Sequence, residues 1–251
     1  MQRKKVLIVY AHPDDESFGN AGTIAKYTAN EQAEFYLAVA TRGEAGKLGD
    51  PPLTTREQLG YYREQELKSA GKIMGLKEII FLDYIDATLS VLSAEDQQNL
   101  IGKIADTILD VRPDILITFP EDGISKHKDH IAIHYMCNKA IASIADQYII
   151  PKIYYTVFPE SAYLARDRVG FGTPDAEITT KIDIADFRKQ KGESLLQHKT
   201  QVFSIKKVYP ALWETNDWSV MPSQEYFQLI SLHGKPVDFK NYRETSLLDN
   251  L

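Results

Sequence analysis

One cysteine, Cys137, stands among 251 residues. That excludes an internal disulfide and any metal site built from several thiolates, and it suits a reducing compartment. Long apolar runs are also missing. None approaches the roughly 20 residues that span a bilayer, and the run behind Arg3, Lys4 and Lys5 covers only residues 6–11 before a histidine and two aspartates. It is too short for the core of a secretory leader, so a cytoplasmic address without a membrane span is expected. Charge of one sign is lacking as well: 29 basic against 35 acidic residues leave a net charge of -6 with no long block of either, and nucleic acid is not an expected partner. Gly19 and Gly22 do not complete a dinucleotide fingerprint, no P-loop is present, and nothing repeats at the solenoid period of roughly 20 to 50 residues.

What is present is an ordinary globular composition, 43% hydrophobic and 25% charged, in a chain long enough to bury about three-quarters of its unfolded surface. Apolar, β-rich runs at 6–10, 34–40, 78–82, 115–119 and 152–157 alternate with helical-period segments at 19–30, 54–74, 94–111 and 129–147. This alternation predicts an α/β fold: a Rossmann-like, mostly parallel sheet with helices on both faces. One domain is expected over 1–251, with a core at 4–201 and a C-terminal helical and loop extension at 202–251. Residues 177–184 suit an edge strand and 184–199 an amphipathic helix. The aromatic tail from 209, broken by Pro210, Pro222, Gly234 and Pro236, is expected as short helices and loops over the active-site mouth or at a subunit contact.

Three loops that follow predicted strands hold most of the unusual polar residues, and in an open α/β sheet such loops converge on one crevice. They are AHPDDE at 11–16, TRGEAG at 41–46 and the stretch 120–130. Adjacent carboxylates at the end of a buried strand are costly unless a cation offsets them. His12 and Asp15, with one further imidazole from the third loop, supply two nitrogens and a carboxylate and leave a position for water, the ligand count of a catalytic zinc site. Asp14 is then free to accept a proton from that water. His127 and His130 lie three apart, so one can bind metal while the other faces substrate, and Asp129 can fix an imidazole's tautomer by accepting a hydrogen bond from it.

At these residues the chain resembles the zinc-dependent de-N-acetylases of N-acetylglucosamine derivatives, the LmbE-like or PIG-L family. The likeness rests on AHPDDE, TRGEAG and HKDH at 127–130, with support from 62–76, 81–86, 112–123 and QHKTQ at 197–201. It implies a metal bound by His12, Asp15 and His130, with Asp14 as general base and His127 as the electrostatic and acid group. The implied ion is zinc, with iron as the alternative, and the implied substrate is an N-acetylated amino sugar. Arg42 matches a family position near the substrate, and the resemblance together with the aromatic tail suits a homo-oligomer. Lys128 replaces the family's proline and Lys126 its glycine. These two lysines are expected either to lower the pKa of His127 by like-charge repulsion or to attract an anionic substrate group.

Other readings stand beside these. His134, four residues after His130, also has helical ligand spacing. Glu44 serves either the substrate or a turn shaped with Gly43 and Gly46. His198 reads as a packing or hydrogen-bonding residue near the site, His233 as tail surface, Cys137 as a small buried hydrophobe, and Glu16 as a first-turn acid. The function expected is removal of acetyl from an N-acetylglucosamine-containing substrate. Its rivals are a non-catalytic carbohydrate-binding module that keeps the metal pocket, and a magnesium-dependent phosphoacceptor or phosphatase using Asp14 and Asp15. Two histidines favour zinc over magnesium.

Overall fold

Strands that read as near-continuous apolar runs are those covered on both faces, and these take the middle of the sheet. In the computed structural model, which describes residues 3–165 and 170–251, they are β1 (Lys4–Tyr10), β2 (Ala33–Thr41), β4 (Ile115–Thr118) and β5 (Lys152–Val157), while β3 (Glu78–Tyr84) lies at one edge with Leu82 as its buried residue. Val6 to Val9 of β1 and Ile115 to Ile117 of β4 have no exposed surface. The helices between them are α1 (Asp15–Gly19), α2 (Ala21–Ala29), α3 (Leu59–Met74), α4 (Ala94–Val111), α5 (Gly123–Lys126) and α6 (Lys128–Ser143). Ser93 caps α4 by accepting the Asp96 N–H at 3.1 Å, and α4 stops at Val111 just before Pro113, which disfavours further helix.

The chain runs β1, β2, β3 toward one edge, then crosses back to place β4 and β5 on the other side of β1, and with β6 (Thr180–Asp183) and β7 (Gln224–Leu232) the order is β3-β2-β1-β4-β5-β7-β6. The first five strands are parallel. Right-handed crossovers then put α2 and α3 on one face and α4 and α6 on the other, and each pair packs together. β1 and β4 are sheet neighbours but far apart in sequence, so their carboxyl ends open a crevice at the point where the strand order reverses.

The remaining elements are α7 (Glu160–Leu164), β6 (Thr180–Asp183), α8 (Arg188–Gln197), α9 (Val202–Val208), α10 (Pro210–Thr215), β7 (Gln224–Leu232) and β8 (Lys235–Pro236). Residues 202–251 thus supply the expected short helices and, in addition, a nine-residue strand that enters the sheet. β7 runs antiparallel between β5 and β6. Phe227 and Leu229 of β7 are fully buried. Its alternation is obscured in sequence by Glu225, a buried acid that occupies a position an apolar side chain would normally take. Among the described residues no helix is long and apolar enough to cross a membrane.

Candidate metal centre

The loop after β1 turns sharply. Asp14 has φ 107° and ψ -24°, a left-handed conformation that costs a non-glycine residue roughly 1–3 kcal/mol and persists only where its surroundings fix it. Here the Asp14 N–H donates to Glu16 Oε2 at 3.0 Å, and its carbonyl accepts the N–H groups of Ser17 and Phe18 at 3.0 Å each. One residue on, Asp15 accepts the His12 N–H at 2.8 Å. The turn therefore separates the two carboxylates and sends them in different directions.

Asp15 faces two imidazoles. His12 Nδ1 lies 3.5 Å from Asp15 Oδ2, His130 Nε2 lies 3.1 Å from Asp15 Oδ1, and the two ring nitrogens are 3.3 Å apart. Four donors at about 2.0–2.1 Å around a tetrahedral zinc are themselves spaced at about 3.3–3.4 Å, so the two ring nitrogens already have the spacing of two corners, and each has a different oxygen of Asp15 beside it. The opposite side of each ring is fixed. His12 Nε2 meets Asp86 Oδ1 at 3.0 Å and Asp129 Oδ2 at 3.4 Å, and His130 Nδ1 donates to the Gly123 carbonyl at 3.1 Å. In the neutral rings these partners select the tautomer that carries the proton away from Asp15 and turns a lone pair toward it. His130 also stacks on Phe119 with centroids 4.1 Å apart. Gly123, at φ +62°, admits this approach, since a Cβ there would lie 2.9 Å from that of His130.

His12, Asp86 and Asp129 form a second group within ligating distance of one another. Its carboxylates are already engaged by backbone, however, with Asp86 taking the Ala45 N–H at 3.0 Å and Asp129 the Ala87 N–H at 2.8 Å. They orient His12. A third grouping replaces Asp15 by His127. The His127 ring stands 4.9 Å from that of His12 and 4.7 Å from that of His130. Its Nδ1 accepts the Asp129 N–H at 3.3 Å as the N-cap of α6, which leaves Nε2 as the ring's outward donor.

The electrostatics express a demand for positive charge. Burial pulls the His12 pKa down, but hydrogen bonds with Asp129, Asp15 and Asp86 outweigh it and hold the ring's pKa well above 6.5. Asp15 is pulled well below its ordinary range despite burial, chiefly by His130 and His12. Burial pushes Asp14 up to about 6, against the pull of Arg63. His127 is lowered first by burial and then by the imidazoles of His130 and His12. The lysines expected to do this by repulsion are not the leading cause; Lys126 Nζ sits over the Phe171 ring at 4.8 Å.

Other expected residues have partners of their own. Arg42 pairs with Glu64 at 2.6 Å and with Asp83 at 2.5 Å and covers the Phe81 ring. Glu44 accepts the Asp86 N–H at 3.2 Å and joins two loops. His134 donates to the Phe119 carbonyl at 2.9 Å. Cys137 is buried, with its thiol pushed up to about 12 by burial.

Sequence reasoning assigned no role to Arg63 or Asp86. Arg63, only 3% exposed, donates to the Gly43 carbonyl at 2.8 Å and to that of Pro13, and lies 3.3 Å from Asp14 Oδ2. A Cβ at Gly43 or Gly46 would come within 2.1 Å or 2.6 Å of this guanidinium. The glycines of TRGEAG therefore make room for Arg63, which binds the first two loops together. Asp86 had a legible signal, an acid just past the end of a parallel strand. Arg63, inside a helix, had none.

Against known proteins, the family described as GlcNAc-PI de-N-acetylase (PIG-L) matches residues 7–141. The chain is 32% identical over 221 residues to a probable N-acetyl-alpha-D-glucosaminyl L-malate deacetylase 2 of Bacillus anthracis, covering 86% of this chain and 91% of that one. It is 31% identical over 236 residues to a 1D-myo-inositol 2-acetamido-2-deoxy-alpha-D-glucopyranoside deacetylase of Acidothermus cellulolyticus, covering 79% and 80%. In fold it is similar to N,N'-diacetylchitobiose deacetylase of Pyrococcus horikoshii, with TM-score 0.61, 19% identity and coverage of 92% and 84%. It is equally similar to a 4-carboxy-2-hydroxymuconate hydratase of Pseudomonas putida, with TM-score 0.62, 17% identity and coverage of 91% and 96%. The same sheet thus carries different reactions, and the fold alone does not select one.

Proposed function

Because the chain belongs to the GlcNAc-PI de-N-acetylase (PIG-L) family, we propose that it is a zinc-dependent hydrolase that removes acetyl from an N-acetylglucosamine-containing substrate. The observation that carries this reading is the approach of His12 Nδ1 and His130 Nε2 to 3.3 Å of each other, with the two oxygens of Asp15 at 3.5 Å from the first and 3.1 Å from the second, beside a second carboxylate that points elsewhere. These three residues would hold the ion. When bound, a divalent cation supplies Lewis acidity, polarising an amide carbonyl and acidifying water.

The chain's own groups do the rest. Asp14 takes the proton of the attacking water, a role suited to a carboxyl shifted toward neutrality by burial. Arg63 keeps it oriented from the side. As the carbonyl carbon becomes tetrahedral, the Nε2–H of His127 donates to the oxygen that gains charge. Collapse requires a proton on the departing nitrogen, which Asp14 delivers from the one it took from water, while His127 stays a hydrogen-bond donor. Asp86 and Asp129 stay bonded to His12 Nε2 throughout.

The test is acetate release from a panel of N-acetylglucosamine conjugates before chelation, after it, and after return of zinc. Loss and recovery of acetate release are expected. Full activity in chelated protein, or tight sugar binding without release under every condition, would contradict the reading.

A further inference from the structure

Resting on the deacetylase reading above, we propose that Glu16 and His198 form a positioning pair that holds Asp14 in its left-handed backbone conformation and so sets the direction in which its carboxylate meets the reacting water. The carboxylate of Glu16 in the first turn of α1 has no exposed surface, and Ser17 and His198 beside it have none either. A buried ion pair contributes little net stability over well-packed apolar residues, so its placement needs another reason.

The geometry supplies that reason. One oxygen of Glu16 receives the Asp14 N–H at 3.0 Å, and φ at Asp14 is 107°. The other oxygen receives the Ser17 hydroxyl at 2.6 Å and His198 Nε2 at 3.0 Å. Among the described residues His198 is the one basic side chain in contact with Glu16. It arrives from 182 residues away, at the end of α8, and the same helix grips α1 a second time, since Lys191 Nζ donates to the carbonyls of Ser17 and Phe18 at 3.2 and 2.8 Å. Without His198 the second oxygen keeps only the hydroxyl of the adjacent Ser17, which moves with the same turn, and the Glu16 carboxylate can rotate. The Asp14 N–H then loses a fixed acceptor, and the residue can relax toward the right-handed region that L side chains prefer. His198 touches no reacting atom, so its effect passes through Glu16 to the turn.

The test compares His198→Leu, which deletes the donor, with His198→Gln, which keeps an N–H where Nε2 stands. Acetate-release kinetics, metal content and hydrogen exchange of the peptide covering 11–18 are measured for each. For His198→Leu we expect kcat lower by about tenfold or more with KM within about twofold, unchanged metal content, and faster exchange at the Asp14 amide. His198→Gln should recover kcat to within about threefold of the parent. Wild-type kcat and exchange in His198→Leu overturn the proposal, as does equal impairment of the two variants. Should His198→Leu not fold, Glu16→Gln takes its place, because it keeps an oxygen for the Asp14 N–H and gives up the charge paired with His198. The same fall in kcat at constant KM and metal content is expected there, and full kcat overturns the proposal. A wild-type protein inactive on every N-acetylated sugar defeats the deacetylase reading instead, and the exchange arm then decides the pair by itself.

Discussion

Two sets of buried acids in this molecule are neutralised differently. At the far side of the sheet Glu244 is paired with Lys152 at 2.8 Å, and Tyr154, Thr180 and Tyr242 fill its remaining lone pairs. Glu225 is paired with Lys191 at 2.7 Å and caps the N–H groups of Gly22 and Thr23. Each is complete within the chain. In the crevice, by contrast, Asp15, Asp86 and Asp129 face imidazoles, which are cations only when protonated. Lysines close the structural clusters permanently, whereas histidines leave a charge that either a proton or a metal ion can supply. The difference separates a staple from a site.

The largest effect that would break this contrast is on the metal itself. His12→Ala should abolish bound zinc and reduce acetate release to background, whereas Asp14→Asn should keep one ion per chain and lose about 10²–10⁴ in kcat. Metal analysis beside the kinetics checks the division, and equal metal loss in both variants contradicts it.

Next in size is the staple. Lys152→Met leaves Glu244 buried without its cation, which should cost about 3–5 kcal/mol and lower the melting temperature by about 10 °C. The folded enzyme's kcat should be unchanged. Thermal unfolding monitored by circular dichroism gives the first number and steady-state kinetics the second. A change in kcat at unchanged stability would erase the distinction between the two clusters.

The smallest effect sharpens the comparison through pH. In the metal-free protein the His12 pKa is raised above 6.5 by its carboxylates, against the opposing effect of burial. The stability that this proton contributes is complete below the unfolded value near 6.5 and is lost as pH rises through the raised folded value. Zinc needs the neutral ring, so its binding strengthens over the same interval, approaching about tenfold per pH unit for one released proton. The rise in melting temperature on adding zinc should therefore be greater at about pH 8 than at about pH 6. A rise that shrinks with pH would contradict the exchange of proton for metal.

The sequence made the parallel half of the sheet legible, because β1, β2 and β4 hold apolar runs at 6–10, 35–40 and 115–117 and the acids of the site begin beyond those strands. The three loops converge for the same reason: strand order alone brings 11–16 and 120–130 together. What stayed hidden depended on packing. β7 carries a buried glutamate that masks its alternation, and Arg63 looks like any charged helical residue until α3 is laid against the first two loops. Arg42 illustrates the opposite case, since its place in a motif drew attention while its guanidinium is held by Glu64 and Asp83. Glu16 and His198 were each readable as ordinary, and only their contact makes them otherwise.

The most direct measurement is anomalous X-ray scattering at the zinc edge from a crystal of the protein grown with zinc. The account requires one peak at about 2.0–2.2 Å from His12 Nδ1, a carboxylate oxygen of Asp15 and His130 Nε2, with Asp14 uncoordinated. A peak on the Nε2 side of His12, between Asp86 and Asp129, would contradict it, as would no ordered zinc in the crevice at all.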